Sequence, residues 1–150
     1  SDDHPSIRER FRAYTSALKD FNLNQNGQSS DMVYGVNQEI TPEIGIDGIK
    51  ALLAKKIPLD AVICANDTLA IGVTEELKRQ NISIPGDIAV VGFDDIYAAR
   101  FHSPALSTIH VPKMDLGKEA FKLLVEVINN PSQVPQTRII AVECVCREST

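Results

Sequence analysis

Two short polar doublets, each closing an apolar run, carry most of the chemistry this sequence offers. Ala61-Val62-Ile63-Cys64-Ala65 ends in Asn66-Asp67, and Ile88-Ala89-Val90-Val91-Gly92-Phe93 ends in Asp94-Asp95. A carboxylate at a strand end, such as Asp94, accepts two hydrogen bonds from vicinal hydroxyls or from a ring N–H, and so orients a small polar ligand. Asn66 both donates and accepts, and Arg10 offers a forked donor to hydroxyl or carboxylate oxygens. Catalysis is the poorer reading of these residues. Adjacent side chains such as Asp94 and Asp95 point apart, and no third carboxylate or lysine stands at a suggestive spacing. The sequence also lacks GxGxxG, P-loop and GxSxG patterns. The chain therefore reads as a binding module, not an enzyme, with no cofactor.

Each of these residues also has a plainer role. Asp67 and Asp95 both precede a helix and read first as N-caps, second as ligands. Asn66 can merely cap a strand edge, and Arg10, beside Glu9, can be a solvated helix-face residue. His102 and His110 read as loop or interface residues rather than catalytic ones. Gly72, inside a helix, reads as a site of close packing rather than of phosphate binding.

Both apolar runs lack polar alternation, which marks strands buried on two faces in a parallel sheet. Ligands of open parallel sheets sit outside the carboxyl ends of the strands, so both doublets would line one wall of a cleft. Ser6, with Glu9 three residues on, has capping-box spacing. Ile7, Phe11, Tyr14, Leu18 and Phe21 then recur at helical spacing and predict an amphipathic helix over 7–21. A polar loop over 22–30, a short strand at Met32-Val33-Tyr34 and a second loop follow. Thr41-Pro42 starts the next helix, and Pro58 stops it before the strand at 61–65. A helix over about 68–80, with Leu69, Ile71, Val73 and Leu77 as its face, leads through Pro85-Gly86-Asp87 to the strand at 88–93. A helical turn over 96–101, a strand over 106–111, a helix over 114–129 and a strand over 138–145 complete the order. In the 114–129 helix, Leu116, Ala120, Leu123, Leu124 and Val127 point inward. The order predicts a doubly wound α/β fold with a parallel sheet.

With 150 residues, 43% hydrophobic and 23% charged, the chain has the composition of a globular domain with a proper core. A net charge of −5 argues against a nucleic-acid-binding surface within this segment. No run approaches the length of a membrane span and no leader opens the chain, so a cytoplasmic location is expected. Cys64, Cys144 and Cys146 lack a CxxC or a nearby His, so no metal site is expected. They read as buried free thiols in a reducing compartment, with Cys144 and Cys146 on one face of a strand.

Ala65-Asn66-Asp67, the run Ile84-Pro85-Gly86-Asp87 through Asp95, and Pro104-Ala105-Leu106-Ser107-Thr108-Ile109 together carry a family resemblance. So do the stretch from Pro112 to Gly117, Cys146-Arg147-Glu148-Ser149, and the helix start Ser6 to Tyr14, in which Ala13 replaces a usual glycine. The chain resembles the C-terminal half of the effector-binding core of lac-repressor/galactose-repressor-type transcription regulators. That resemblance implies a type I periplasmic-binding-protein-like lobe, part of a two-lobed fold. Residues 1–111 and 137–150 would form the C-terminal lobe, and 112–136 would cross to the other lobe. The first subdomain, an N-terminal helix-turn-helix, and the opening strand and helix of this lobe would precede Ser1.

The resemblance further implies that Ser6, Arg10, Asn66 and Asp94 contact a small effector, a sugar or a nucleoside, with His4 as a further candidate. The segment Val36 to Ile44 looks longer than the usual connection, so no effector contact is assigned there. A homodimer is expected through Ile71, Tyr97 and Phe101, and DNA only through the helix-turn-helix outside this chain. Two rivals share the lobe architecture: the sensory module of a signalling protein with another output, and the sugar-binding protein of a transporter.

Overall fold

The structure, a computed structural model, describes residues 5–23, 40–132 and 136–150. The helices are α1 (Pro5–Asp20), α2 (Pro42–Ala54), α3 (Asp67–Arg79), α4 (Tyr97–Phe101) and α5 (Lys113–Asn129). The strands are β1 (Ala61–Ile63), β2 (Ala89–Val91), β3 (Thr108–His110) and β4 (Glu143–Val145). The expected strand at Met32-Val33-Tyr34 lies outside the described residues, as does His4.

β1 and β2 pair in parallel, Val62 opposite Val90, as the uninterrupted apolar runs predict. Parallel bridges from Val91 to Ser107 and from Asp94 to His110 extend the sheet toward β3. β4 departs from the all-parallel expectation: it runs antiparallel to β3, with Cys144 opposite Ile109. The predicted burial of β1 on both faces also fails. Its exposure alternates, and Ile63 is 62% accessible. Among the described residues only β2 pairs with β1; Val62 packs against the core, while Ala61 and Ile63 stay exposed. Of the three cysteines expected to be buried, Cys64 is, whereas Cys144 and Cys146 are exposed, and all three are free.

The core gathers Ile49 of α2, Ala70, Val73 and Leu77 of α3, Cys64, Ile88, Val90, Ala99 and Leu106. Full burial of a side chain the size of Leu77 is worth about 1.5–3 kcal/mol. α2 and α3 approach closely because each has a glycine at the crossing. A Cβ on Gly72 would lie 1.9 Å from the Pro42 carbonyl oxygen, and one on Gly45 would lie 2.1 Å from that of Leu69. The close-packing reading of Gly72 is thus what the fold shows.

Two helices depart from their predicted faces. α1 has no buried residue, and it begins at Pro5, which puts Ser6 inside the first turn rather than at the cap. α5 likewise buries nothing, and Leu116, Leu124 and Val127, expected inward, are exposed. The periodicity of α5 is real, but no described element covers its apolar stripe. Arg138 ties the chain back to this helix through Glu119 (2.5 Å) and Glu126 (2.6 Å).

The last residues are structural. The Ser149 hydroxyl donates to the Val90 carbonyl (2.6 Å) and accepts from the Ser107 N–H (2.8 Å). The Val90 N–H donates to the Ser149 carbonyl (2.9 Å), so the terminus is laced into β2 and the segment before β3.

Candidate functional site

The site begins at the carboxyl end of β2, where the chain turns. Asp94 has φ 106° and Asp95 φ 48°, both in the left-handed region that L-residues rarely occupy. The turn sends the two carboxylates to different places. Asp94 faces α1, where its Oδ1 lies 3.7 Å from Arg10 Nη2, and both side chains remain about one-third exposed (29% and 33%). The Arg10 guanidinium stacks 3.7 Å from the Phe93 ring centre and donates to the Ala65 carbonyl. Arg10 is therefore held by the segments that follow β1 and β2, at Ala65 and Phe93. It is not the solvated helix-face residue of the plainer reading. Lys113, at the start of α5, donates to the Asp94 carbonyl oxygen.

Asn66, which follows the Ala65 whose carbonyl Arg10 reaches, is buried and caps α3: its Oδ1 accepts the Leu69 N–H at 3.0 Å. Ser6 is exposed on α1, four residues before Arg10 and so on the same helical face. Arg10 and Asp94 are thus brought together, Ser6 stands one turn away on α1, Asn66 is engaged in the cap of α3, and His4 lies outside the described residues.

Asp67 and Asp95 are not the N-caps the sequence suggested. Asn66 takes the cap of α3, and Ile96, without a side-chain bond, takes that of α4. Asp67 is fully buried at the first position of α3. It accepts the Thr108 hydroxyl at 2.5 Å and the Ile96 N–H at 2.8 Å. Burial raises its pKa above the ordinary carboxylate value, and those two hydrogen bonds oppose the rise. Gly92 makes room for this carboxylate, since a Cβ there would sit 2.1 Å from Asp67 Oδ1.

Asp95 is the hub that sequence reasoning missed. Its buried carboxylate accepts from Arg147 (2.6 Å), Arg100 (3.0 Å) and His110 Nδ1 (2.8 Å). Burial pushes its pKa up, but hydrogen bonds from Arg147, Arg100 and His110 outweigh burial and hold it well below the usual range. Arg147 also donates to the Leu106 carbonyl at 2.7 Å, which joins the terminus to this hub. The only sequence signal was the doublet itself: adjacent residues point apart, so one of the two aspartates had to face inward. Where β3 runs into α5, an open depression of about 340 Å³ is lined by Asp95, His110, Val111, Pro112 and Lys113.

The three residues expected at a dimer surface lie on adjoining elements. Tyr97 and Phe101 pack with ring centres 4.8 Å apart and planes tilted by 41°, and are 78% and 70% exposed, while Ile71 of α3 is half-buried. Thr74 of α3 contacts His102 Nε2 at 2.5 Å, which fixes the end of α4 against α3.

Parallel strands with polar side chains gathered at their carboxyl ends define a lobe of the α/β binding-protein class. The particular family follows from comparison. Residues 1–150 match the family described as periplasmic binding protein-like domain, and the chain belongs to it. It is 36% identical over 142 residues to the ribose operon repressor of Haemophilus influenzae, covering 95% of this chain and 41% of that protein. It is also 36% identical over 145 residues to the HTH-type transcriptional repressor PurR of Vibrio campbellii, covering 96% of this chain and 42% of that repressor.

Among solved structures, a sugar-binding transcriptional regulator of the LacI family from Escherichia coli, complexed with phosphate, superposes with a TM-score of 0.80. The identity is 26%, over 100% of this chain and 52% of that one. The lac-repressor/galactose-repressor resemblance is thereby supported by sequence and by fold. The chain spans about two-fifths of the length of the curated relatives it matches. Among the described residues, no helix is long and apolar enough to cross a membrane.

Proposed function

We propose that this chain is the effector-binding and dimerisation portion of a bacterial transcription regulator, and that it is not itself catalytic. A sugar or nucleoside is bound by Ser6, Arg10, Asn66 and Asp94, with His4 as a further contact. Residues 1–111 and 137–150 act as the C-terminal lobe, and 112–136 cross to the other. Ligand closure shifts the lobes and, through linked equilibria, the DNA affinity of a helix-turn-helix outside this segment. Ile71, Tyr97 and Phe101 form part of a homodimer contact in the cytoplasm.

The observation that carries this reading is the Asp94–Arg10 pair. A non-glycine residue held at φ 106° aims a partly exposed carboxylate at an arginine that the Phe93 ring and the Ala65 carbonyl already fix. Backbone outliers of this kind cost about 1–3 kcal/mol and persist where a function needs them. The repressor relatives and the sugar-binding structural neighbour support the ligand class.

The test is a thermal-shift screen of the intact gene product against sugars, nucleosides and purines, repeated with Asp94→Ala. A stabilising ligand raises Tm. The expected result is a hit in one of these classes that disappears in the variant; a hit of unchanged size in Asp94→Ala removes Asp94 from the site.

A further inference from the structure

Arg10 reaches the candidate site from a helix that does not itself hold it. α1 buries none of its side chains among the described residues, and an arginine side chain is long and rich in rotamers. What fixes the guanidinium must therefore be the groups that it meets. The Ala65 carbonyl accepts from Nη1, and one hydrogen bond leaves rotation about its own axis. Asp94 Oδ1 lies 3.7 Å from Nη2, too long for a hydrogen bond. The Phe93 ring supplies the remaining contact, with Arg10 Cζ 3.7 Å from its centroid.

Phe93 is firmly seated. Its carbonyl accepts the Asp67 N–H at 2.8 Å, and the Asp94 N–H of the same peptide unit donates to the Ile109 carbonyl at 2.9 Å. The preceding Gly92 N–H donates to the Ser107 carbonyl at 2.9 Å, so the main chain on both sides of the ring is tied down. We propose that Phe93 is a positioning residue of the effector site: its ring clamps the Arg10 guanidinium in place before any ligand arrives. The role rests on the effector reading of Arg10 and Asp94. A cation over an aromatic face is attracted by the ring quadrupole, and guanidinium groups stack on such faces.

The clamp orders the arginine on folding rather than on binding, which leaves more of the interaction energy as affinity. With Nη1 bound to Ala65 and the ring beneath, Nη2 and the Asp94 carboxylate stand side by side, 3.7 Å apart. A donor beside an acceptor suits a hydroxyl, which accepts from Nη2 and donates to Oδ1 at once. The face of Phe93 under Arg10 is taken by the guanidinium, so the ring serves the ligand through the arginine and not by stacking on it.

The test uses the intact gene product and begins without ligand. A proton held over a phenyl ring is shifted upfield by the ring current. In a proton–nitrogen correlation spectrum the Arg10 Nε–H signal, identified by its loss in Arg10→Gln, should move downfield in Phe93→Leu and in Phe93→Met. Phe93→Tyr should keep it near the wild-type position. A signal that stays in place in the two non-aromatic variants overturns the proposal, whatever the protein binds. Thermal shift with D-ribose, D-glucose, inosine and hypoxanthine then follows binding. For a probe that stabilises the wild type, Phe93→Leu should weaken binding roughly 3- to 30-fold, the range of one cation–ring contact, and Phe93→Tyr should restore it. In the Arg10→Gln background Phe93→Leu should cost no further affinity, because the ring acts through the arginine. An equal loss in that background, or no recovery in Phe93→Tyr, assigns Phe93 a merely structural role and overturns the proposal. If none of these probes stabilises the wild type, the effector reading loses support, and the ligand-free signal still decides for or against the clamp.

Discussion

Asp94 and Asp95 are neighbours in the chain and share left-handed backbone, yet their surroundings differ in kind. On the Asp95 side every oxygen is committed: three cationic or imidazole donors converge on a carboxylate that is 2% exposed. On the Asp94 side the carboxylate meets one arginine at 3.7 Å, longer than a hydrogen bond, and keeps a third of its surface. The saturated side holds fold elements from four parts of the chain: β2, α4, β3 and the terminus. The thinly held side has capacity left for another molecule. A fold that needed both aspartates for stability would have buried both.

The largest effect should come from breaking the saturated side. In Asp95→Asn, Arg147 loses its buried counter-charge, and the intact protein should lose about 3 kcal/mol, read by urea unfolding. The same variant should change the pH dependence. The folded pKa of Asp95 lies below the unfolded value of about 4, so its contribution is complete above that pH and is lost as pH falls below it. Tm plotted against pH should therefore fall less steeply below about pH 4 in Asp95→Asn than in the wild type. Asp67 works in the opposite sense, because its raised pKa means that the folded chain holds the proton more tightly and gains from acidification.

Gly92→Ala comes next. The new methyl would meet Asp67 Oδ1 and Leu106 Cδ2, displacing a carboxylate that anchors Thr108 and Ile96. Over-packing of this kind costs about 1–3 kcal/mol, measurable by the same unfolding curve. The smallest effect should come from the Asp94 side, and with the opposite sign. Asp94→Gly relaxes the residue at φ 106° and gives up only a long, partly exposed ion pair. It should raise stability by about 1 kcal/mol or less while abolishing the ligand-induced Tm shift. A loss of stability comparable with Asp95→Asn would erase the contrast.

Much of this architecture was legible in the sequence because it rests on local signals. Apolar runs closed by polar doublets gave β1 and β2, Pro42 after Thr41 gave the start of α2, and Gly72 gave the helix crossing. The convergence of Arg10 on Asp94 came from resemblance, since no local pattern links residues 84 positions apart in the chain. What stayed hidden depends on long-range partners. Asp67 and Asp95 stand where helix caps stand, and only the arrival of Thr108, Arg147 and His110 shows that they serve the interior. The exposure of α5, of Ile63 and of Cys144 and Cys146 was equally unreadable, because periodicity reports which residues are apolar and not whether anything covers them.

The most direct test of the division of labour is calorimetric titration of the screened ligand into the intact protein carrying Asp94→Asn, with Tm measured on the same sample. Removing a charged hydrogen-bond partner should weaken binding by about 1.5–3 kcal/mol, roughly 10- to 150-fold, while Tm without ligand stays near the wild-type value. Unchanged affinity, or a loss of binding that simply tracks a loss of folded protein, would contradict the assignment of Asp94 to ligand and Asp95 to fold.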